Sequence, residues 1–426
     1  MVERIVFIYL PGAIEAVPAG RLSLTERGTE LIASRFAYGT RYLERANALA
    51  VDPVALPLAA GRGGAELWPP AGLTLFGALR DAAPDAWGRR VIENRLRAPP
   101  NGLPESTYLD HAGPYRAGAL DIRKTPASEA EAGTLPSLIE LEHLKEAAAR
   151  VEQGEAVPAH LQWFFAGGPS LGGARPKAVL AADGREWVAK FPAANDPFDI
   201  PTAERATLEL AREAGLDVPR TRLEPLVDGR KVLLLERFDR EPSERGTTRR
   251  HMVSALTLLA RHEQDAPDSS YAELADALGV HGVGGRIARD REELFARMIF
   301  NILVSNDDDH LRNHAFLYDP PGAGWRLSPL YDVVPRPQFA QERVLHLAVG
   351  PQGRLATLDN ALAAAARFGL HAVAAARIID RVVRVVRSWR ETFDRLQVPG
   401  RLCDQLASAF RRPAEIGIED IDRHLR

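Results

Sequence analysis

The stretch that decides the fold is DDDHLRNHAFLYDPPGAGWRLSPLYD, residues 307–332. It opens on three consecutive aspartates and then holds two mainly apolar segments, 314–318 and 325–330, joined by the turn DPPGAG. Short apolar segments joined by a turn rich in Pro and Gly indicate a β-hairpin. The predicted hairpin therefore begins directly after an acidic loop that contains Asn313, and it ends near a further carboxylate, Asp332.

The spacing within this acidic loop indicates phosphoryl transfer. Asp308 and Asn313 are separated by four residues, as are the catalytic aspartate and the metal-binding asparagine of kinase catalytic loops. We predict that Asp308 orients and deprotonates the acceptor hydroxyl, and that Asn313 and Asp332 hold magnesium on the phosphates. Asp307 and Asp309 remain alternative bases, since only the spacing favours Asp308. An acidic loop cap is the alternative without a catalytic role.

A glycine-rich turn, GGPSLGGARPK (167–177), precedes the next candidate. It leads into a strand over 178–182, and after the Asp183-Gly184 turn signal a returning strand carries Lys190. We predict that the Lys190 ammonium reaches the ATP phosphates, although a surface lysine at a strand end is the ordinary alternative. Backbone N–H groups of the turn can lie against the same phosphates, and the residues predicted to do so are Ser170, Gly172, Gly173 and Ala174.

The segment LLLERFDR, residues 233–240, is predicted to lead out of this small sheet. Backbone groups of such a connection can hydrogen-bond the adenine edge while apolar side chains cover the ring. We predict that Glu236 and Phe238 lie at the adenine and that Asp239 lies near the ribose. A strand end with a structural phenylalanine is the alternative.

Two predicted helices carry further charged candidates. Glu204 lies in the first turn of a helix over 203–214 and is the candidate carboxylate that orients Lys190, although a favourable charge at a helix N-terminus explains it almost as well. A helix over 371–390 has one apolar face and one basic face. Such a basic face is most often simply solvated, with contact to DNA or a partner as the alternative, and its residues are Arg377, Arg381, Arg384 and Arg387.

The order of these elements indicates an α+β protein with a two-lobed, protein-kinase-like fold. Residues 1–110 mix strand and helix patterns and are predicted to form an additional N-terminal α/β subdomain. A small antiparallel sheet lobe with linker, glycine-rich turn and hinge is predicted over 111–240. A mostly helical lobe with the catalytic loop and the metal-binding hairpin is predicted over 241–426. Within the second region, Ser137 and Glu140 form a capping-box pattern that opens a helix.

Composition restricts the setting in which this protein works. No run of about 18 apolar residues occurs, so we expect no membrane span. Cys403 is the single cysteine, which excludes an internal disulfide and favours a reducing, cytoplasmic location. The net charge of −3 gives no indication of nucleic-acid binding. The N-terminus, with Glu3 and an early Pro11-Gly12 turn, is predicted to be a strand rather than a signal peptide.

These motifs together resemble the HipA family of toxin–antitoxin kinases over nearly the whole chain. The combination is specific, whereas no single motif is. The matching positions are Ser170, Gly173 and Lys177 in the glycine-rich loop, Lys190, ERFDR at 236–240, Asp308, His310 and Asn313 in the catalytic loop, Tyr331 and Asp332 in the metal motif, and PDAWGR at 84–89 in the N-terminal region.

The resemblance implies a serine/threonine protein kinase that depends on ATP and Mg²⁺, with His310 among its nucleotide-site residues and Ser170 as an autophosphorylation site. It implies a protein substrate such as an aminoacyl-tRNA synthetase and a small DNA-binding antitoxin of the HipB type. Operator DNA would be contacted only through the antitoxin complex, and no membrane is involved. Pro176, before Lys177, and the additional Asp309 depart from the family's pattern.

Two other function classes remain open. A small-molecule phosphotransferase of the aminoglycoside-kinase type uses the same fold and a similar Asp-to-Asn spacing, but we expect it to lack the N-terminal region and the loop serine. A catalytically degenerate chain that serves only as a corepressor is the non-enzymatic alternative. The complete set of Lys190, Asp308, Asn313 and Asp332 argues against that alternative, and ATP turnover would decide.

Overall fold

The computed structural model of the protein describes residues 1–129, 134–158, 160–161 and 173–425. These residues form both sheets and helices, so the predicted α+β class is confirmed. They divide into two compact units. The first unit comprises Met1–Asn195 and Glu224–His262, and the second comprises Asp196–Leu223 and Glu263–Arg426.

In the described residues, the β-strands are β1 (Val2–Tyr9), β2 (Ala16–Arg27), β3 (Glu30–Tyr38), β4 (Leu120–Arg123), β5 (Lys177–Ala182), β6 (Arg185–Lys190), β7 (Thr221–Pro225), β8 (Lys231–Glu236), β9 (Arg240–Ser243), β10 (Gly246–Arg249), β11 (Met252–Ser254), β12 (Ala315–Asp319) and β13 (Gly324–Leu327). The α-helices of the same residues are α1 (Thr40–Leu43), α2 (Gly77–Ala82), α3 (Ala86–Leu96), α4 (Glu105–His111), α5 (Leu141–Gln153), α6 (Ile200–Glu213), α7 (Ala255–Leu258), α8 (Tyr271–His281), α9 (Ile287–Val304), α10 (Leu358–Ala363), α11 (Ala372–Arg387), α12 (Trp389–Arg395), α13 (Gly400–Leu406) and α14 (Ile418–Leu425).

The N-terminal sheet of the first unit has the strand order β3-β2-β1-β4, with antiparallel pairing throughout. The sequence did not predict β2, because Pro18 and Gly20 interrupt its apolar alternation. Gly20 is required there, since a Cβ at that position would clash with the ring of Phe36 on the neighbouring strand. Strand β4 lies beyond residue 110, so this sheet draws on residues past the predicted N-terminal region.

A second four-stranded sheet has the order β5-β6-β8-β7. The predicted turn between β5 and β6 is confirmed, because Asp183 and Gly184 both have positive φ, 52° and 69°, as a tight hairpin turn requires. Helices α3 and α5 pack their apolar faces against this sheet, and Leu144, Trp187 and Leu234 are all buried in the resulting core. The core fixes the strands that carry the candidate nucleotide residues.

Directly after Arg240 the structure has two strands that the sequence did not predict. Strands β9 and β10 form an antiparallel hairpin there, in which Arg249 pairs with Arg240. Its residues are largely polar and exposed, so no alternating apolar pattern indicated a strand in the sequence. Gly246 takes a φ of +136° at the start of β10, a conformation for which glycine is suited.

The second unit consists mainly of helices around the buried helix α9, together with the β12–β13 hairpin. The predicted helix over 371–390 is divided at Ser388 into α11 and α12. Its apolar face is buried as predicted, and the arginines of the opposite face are exposed. Arg384 pairs with Asp380 one turn earlier, at 2.7 Å. None of the helices in the described residues has the length and apolar character that crossing a membrane requires.

Candidate functional site

The acidic loop is positioned by the end of helix α9. Ser305 caps this helix in the left-handed conformation, with a φ of 52°, and its hydroxyl donates to the carbonyl of Ala409 at 2.7 Å. The side chain of Asn306 donates to Oδ1 of Asn301 at 3.1 Å, back on the helix. These contacts fix where the chain leaves α9, and the aspartates follow at once.

Asp308 and Asn313 face each other across the loop. Nδ2 of Asn313 donates to the backbone carbonyl of Asp308 at 2.7 Å, so the four intervening residues form a closed turn. Because the amide nitrogen is used in this bond, Oδ1 of Asn313 is the atom that can bind a cation. The Asp308 side chain is 52% exposed, which leaves it accessible to a substrate. This arrangement supports the two roles predicted from the spacing.

A residue that the sequence analysis missed binds two of the aspartates. The guanidinium of Arg336 lies 3.1 Å from Oδ1 of Asp307 and donates to Oδ2 of Asp308 at 2.8 Å. Gln338 donates to the second oxygen of Asp307 at 2.7 Å. The signal in the sequence was an arginine between two prolines, Pro335 and Pro337, whose rings restrict the backbone on both sides.

Asp309 has a different environment from its two neighbours. It is 1% exposed, and its carboxylate accepts from the Tyr271 hydroxyl at 2.6 Å and from the backbone N–H of His346 at 2.7 Å. Burial raises the pKa of Asp309 to about 7, against the opposing effect of these hydrogen bonds. Asn301 donates to the same tyrosine hydroxyl at 2.9 Å. Asp309 is therefore a structural anchor, which answers the open question of its role and disfavours it as the base.

Asp332 follows the hairpin in a conformation that is uncommon for a residue with a side chain. Its φ is +56°, in the left-handed region that aspartate tolerates better than most residues. The preceding residue, Tyr331, donates its hydroxyl to the carbonyl of Arg312 at 2.7 Å. Since Arg312 directly precedes Asn313, this bond ties the segment that carries Asp332 to the loop that carries Asn313.

His310 lies beside the candidate base. Its Nε2 is 4.0 Å from Oδ1 of Asp308, and its ring packs edge-on against that of His346, with centroids 5.9 Å apart. Burial lowers the pKa of His346, and His310 adds to this effect. His310 is thus a neighbour of the Asp308 carboxylate, the candidate general base. Its predicted contact with the nucleotide stays a prediction.

In the first unit, Lys190 ends strand β6 and lies directly opposite Lys177 at the start of β5. The carbonyl of Pro176 accepts from the N–H of Phe191 at 3.0 Å, so this proline continues the strand pairing. Gly173, with a φ of +117°, and Ala174 are the described members of the predicted phosphate-binding turn. Ser170 and Gly172 lie outside the described residues.

Lys177 has a partner that the sequence analysis did not foresee. Its ammonium donates to Oδ2 of Asp85 at 2.9 Å, and both side chains are buried. Asp85 belongs to the PDAWGR motif, 92 residues earlier in the chain. Nearby residues in the sequence cannot indicate a bond between positions 92 residues apart. The family resemblance had nevertheless included both motifs.

The structure places Asp239 inside the first unit rather than at a ligand surface. Its buried carboxylate accepts from Arg237 at 3.0 and 2.7 Å, from Arg240 at 2.8 Å and from the N–H of Gly118 at 2.7 Å. Ion pairing with these arginines lowers the pKa of Asp239 despite its burial. The predicted contact of Asp239 with a ribose is therefore not supported, and the residue is a structural anchor.

The two arginines bound to Asp239 extend this anchoring. Arg237 donates to the carbonyls of Tyr115 and Arg116 at 2.8 and 2.9 Å, and Arg240 donates to those of Arg116 and Gly118 at 2.6 and 3.0 Å. Arg237, Asp239 and Arg240 thus hold the segment 115–118. ERFDR was predicted to form the hinge. Its two arginines and its aspartate have a structural role, because they bind the segment 115–118.

The other predicted residues of this segment lie closer to the surface. Glu236 ends β8, pairs across the sheet with Trp187 and accepts from Arg185 at 2.5 Å. Phe238 is half-buried. Both remain predicted adenine-site residues.

Glu204 lies in the second unit, in α6, and its side chain is buried, with the residue only 2% exposed. Its contact with Lys190 stays a prediction.

Comparison with known proteins shows the fold class of this protein and the family to which it belongs. The fold is that of Shewanella oneidensis HipA, solved in a complex of HipA, HipB and operator DNA. The two chains are 18% identical and superpose with a TM-score of 0.66 over 98% of this chain and 97% of the other, so the predicted kinase-like fold is confirmed. Residues 169–389, just over half of the chain, match the model of the HipA-like C-terminal domain. The protein belongs to this family.

Two sequence relatives carry kinase names. A Haemophilus influenzae protein named as a presumed kinase is 28% identical over 155 residues, which cover 34% of this chain and 44% of the relative. The serine/threonine-protein kinase toxin HipA of Shewanella oneidensis is 26% identical over 191 residues, which cover 39% of this chain and 42% of the relative. The matched segments span less than half of either relative's length.

Proposed function

We propose that this protein is a serine/threonine protein kinase, dependent on ATP and Mg²⁺, that acts as the toxin of a type II toxin–antitoxin pair. The observation that carries the proposal is the closed turn in which Asn313 binds the carbonyl of Asp308 at 2.7 Å. The turn presents a carboxylate and an amide oxygen at a fixed spacing, which phosphoryl transfer to a hydroxyl requires. Membership of the HipA-like family supports the same class of reaction.

In this proposal Asp308 orients the acceptor hydroxyl of the protein substrate and takes its proton. Lys190 and the backbone N–H groups of Gly173 and Ala174 bind the phosphates. Glu236 and Phe238 remain the candidates for adenine, whereas the environment of Asp239 argues against a nucleotide contact for that residue.

The metal set proposed for Mg²⁺ is Oδ1 of Asn313 together with Asp332. One amide and one carboxylate suit a cation that retains water and phosphate oxygens as its other ligands. The amide orientation of Asn313 fits, because its nitrogen is committed to the Asp308 carbonyl. The described residues hold no group of three or more His, Cys, Asp or Glu side chains that could bind a metal. Bound magnesium neutralises charge on the phosphates.

The proposal extends to partners. The toxin name of one relative and the presence of HipB and operator DNA beside the similar structure support a small DNA-binding antitoxin as the partner, with operator DNA contacted only through it. The substrate proposed is a translation component such as an aminoacyl-tRNA synthetase, and the location proposed is the cytoplasm. Ser170 is proposed as the autophosphorylation site.

The decisive experiment incubates the purified protein with γ-labelled ATP, Mg²⁺ and a cell lysate, and identifies the labelled proteins. We expect a labelled protein band and self-labelling, both lost in the Asp308→Asn variant. Intact-mass and peptide mass spectrometry then check whether the added phosphate lies on Ser170. Label that appears only on small alcohols would support the aminoglycoside-kinase type of activity. No turnover of ATP with any acceptor would support the corepressor alternative.

A further inference from the structure

A pair of residues in the N-terminal region is bonded to the end of the glycine-rich turn. Asp85 caps helix α3, with Oδ1 accepting from the N–H of Gly88 at 2.6 Å. Its other oxygen binds the Lys177 ammonium at 2.9 Å, and the two side chains are only 8% and 7% exposed. One carboxylate therefore joins a helix start to the first residue of strand β5.

Trp87, two residues further on, makes two more contacts with the same segment. Its indole Nε1 donates to the carbonyl of Lys177 at 2.9 Å, and its backbone N–H lies 3.4 Å from the carbonyl of Gly173. The ring is 1% exposed and belongs to the same core as Ala178 and Ala189. Helix α3 thus holds both ends of the segment 173–177 by hydrogen bonds as well as by packing.

The side chain of Lys177 also lies against the backbone of Gly173. A Cβ at Gly173 would come within 2.8 Å of Nζ of Lys177, so the ammonium occupies the space beneath this glycine. With a φ of +117°, Gly173 has a backbone conformation that residues with a side chain rarely adopt. The position of the ammonium and the shape of the turn are therefore coupled.

Lys177 and Lys190 form a directly opposed pair between β5 and β6. Opposed residues of neighbouring strands share a face of the sheet, and like charges in such pairs destabilise it. The carboxylate of Asp85 balances the charge of Lys177. The negative charge of Asp85 thus stabilises a strand pairing on which the placement of Lys190 depends.

We propose that Asp85 and Trp87 are positioning residues for nucleotide binding. They fix the end of the glycine-rich turn and the register of the strands that carry Lys177 and Lys190. This inference rests on the proposed kinase function. Both residues act through the turn and the strands rather than on the reacting atoms, so their loss is expected to weaken ATP binding and to leave the chemical step of bound ATP nearly unchanged.

The test uses the full-length protein and three variants: Asp85→Asn, Trp87→Phe, and the double variant Asp85→Asn with Lys177→Met. A displaced contact can cost up to about a hundredfold, and we expect KM for ATP to rise at least about tenfold while kcat changes less than about threefold. Asp228→Asn is the matched control. It removes another Asp–Lys pair of the same unit, 2.8 Å between Lys145 and Asp228, with Asp228 in the connection between β7 and β8.

The double variant separates positioning from stability. It also removes the buried ammonium whose carboxylate partner Asp85→Asn replaces, so thermal stability should recover in part. KM for ATP should remain raised, because the link between α3 and β5 is still broken. Recovery of KM together with stability would overturn the proposal, as would variants that lose thermal stability with KM for ATP unchanged.

Hydrogen exchange without nucleotide keeps this test independent of kinase activity. In the Asp308→Asn background, Asp85→Asn should speed exchange at the amides of Ala174, Arg175 and Lys177, whereas Asp228→Asn should not. A wild-type protein without phosphoryl transfer would sink the proposed function, and ATP titration together with exchange would still decide the positioning role. Unchanged exchange at these three amides would overturn it.

Discussion

One guanidinium nitrogen of Arg336 lies 2.8 Å from a carboxylate oxygen of Asp308, and the same guanidinium also binds Asp307 at 3.1 Å. A single arginine therefore spans the candidate base and its neighbour. Arginine presents five donors in a rigid fork, so these two contacts leave donors for the phosphoryl group that passes from ATP to the hydroxyl bound by Asp308.

Arg336→Ala is expected to lower kcat on the order of a hundredfold, because it removes a fixed cation from the place where phosphoryl charge develops. Arg336→Lys should retain part of the rate, since it keeps the charge and loses the fork. The measurement is steady-state kinase activity at saturating ATP. The control is Arg384→Ala, which breaks an exposed ion pair with Asp380 in the same unit. An unchanged or higher kcat would show that Arg336 only covers Asp308.

Asp308→Asn is expected to reduce phosphoryl transfer by about 100-fold to 10,000-fold, the range typical of a positioned general base. ATP binding should remain near that of the wild type, since Asp308 acts on the acceptor hydroxyl. Asp307→Asn is the matched variant in the same loop and should retain most of the rate. Single-turnover labelling and ATP titration measure the two quantities. Loss of activity in Asp307→Asn with Asp308→Asn active would reverse the assignment.

Asp332→Ala is expected to weaken ATP binding in the presence of Mg²⁺ and to leave binding without the metal nearly unchanged. The physical reason is that Asp332 would bind the nucleotide only through the cation. Titration calorimetry with and without Mg²⁺ measures the difference. Asp319→Ala, at the end of β12 in the same hairpin, is the control. Equal ATP affinity of wild type and Asp332→Ala with Mg²⁺ would contradict the metal assignment.

Asp309 should make stability depend on pH. Burial raises the pKa of Asp309 in the folded protein to about 7, from the ordinary value of 3.8. Between these values the folded state holds a proton that the unfolded state has lost, so stability falls as pH rises from 3.8 to 7, by an amount on the order of 4 kcal/mol. This contribution is fully present below pH 3.8.

The Asp309→Asn variant cannot ionise and should lack that part of the pH dependence. Thermal midpoints of both proteins, measured from pH 4 to pH 8, should therefore converge or cross as pH rises, with the wild type losing more. Parallel curves over that range would contradict the raised pKa. Activity at neutral pH serves as a second readout, because an anchor rather than a base should leave kcat largely intact wherever the variant is folded.

The sequence by itself determined those parts of the protein that depend on neighbouring residues. The Asp183-Gly184 turn, the capping box of Ser137 and Glu140 and the β12–β13 hairpin all follow from local backbone preferences, and the structure has each of them. The separation of Asp308 and Asn313 also acts locally, since it matches one closed turn. The family resemblance rested on such short patterns.

Only the tertiary structure distinguished among residues of the same type. Three adjacent aspartates look alike in the sequence, yet Asp309 is buried against Tyr271, 38 residues away, and Asp308 is exposed beside Arg336, 28 residues away. Asp239 had seemed suited to a ribose but is enclosed by arginines. Burial and pairing depend on which distant segments pack together, and no short pattern carries that information. The bond between Lys177 and Asp85 joins residues 92 positions apart for the same reason.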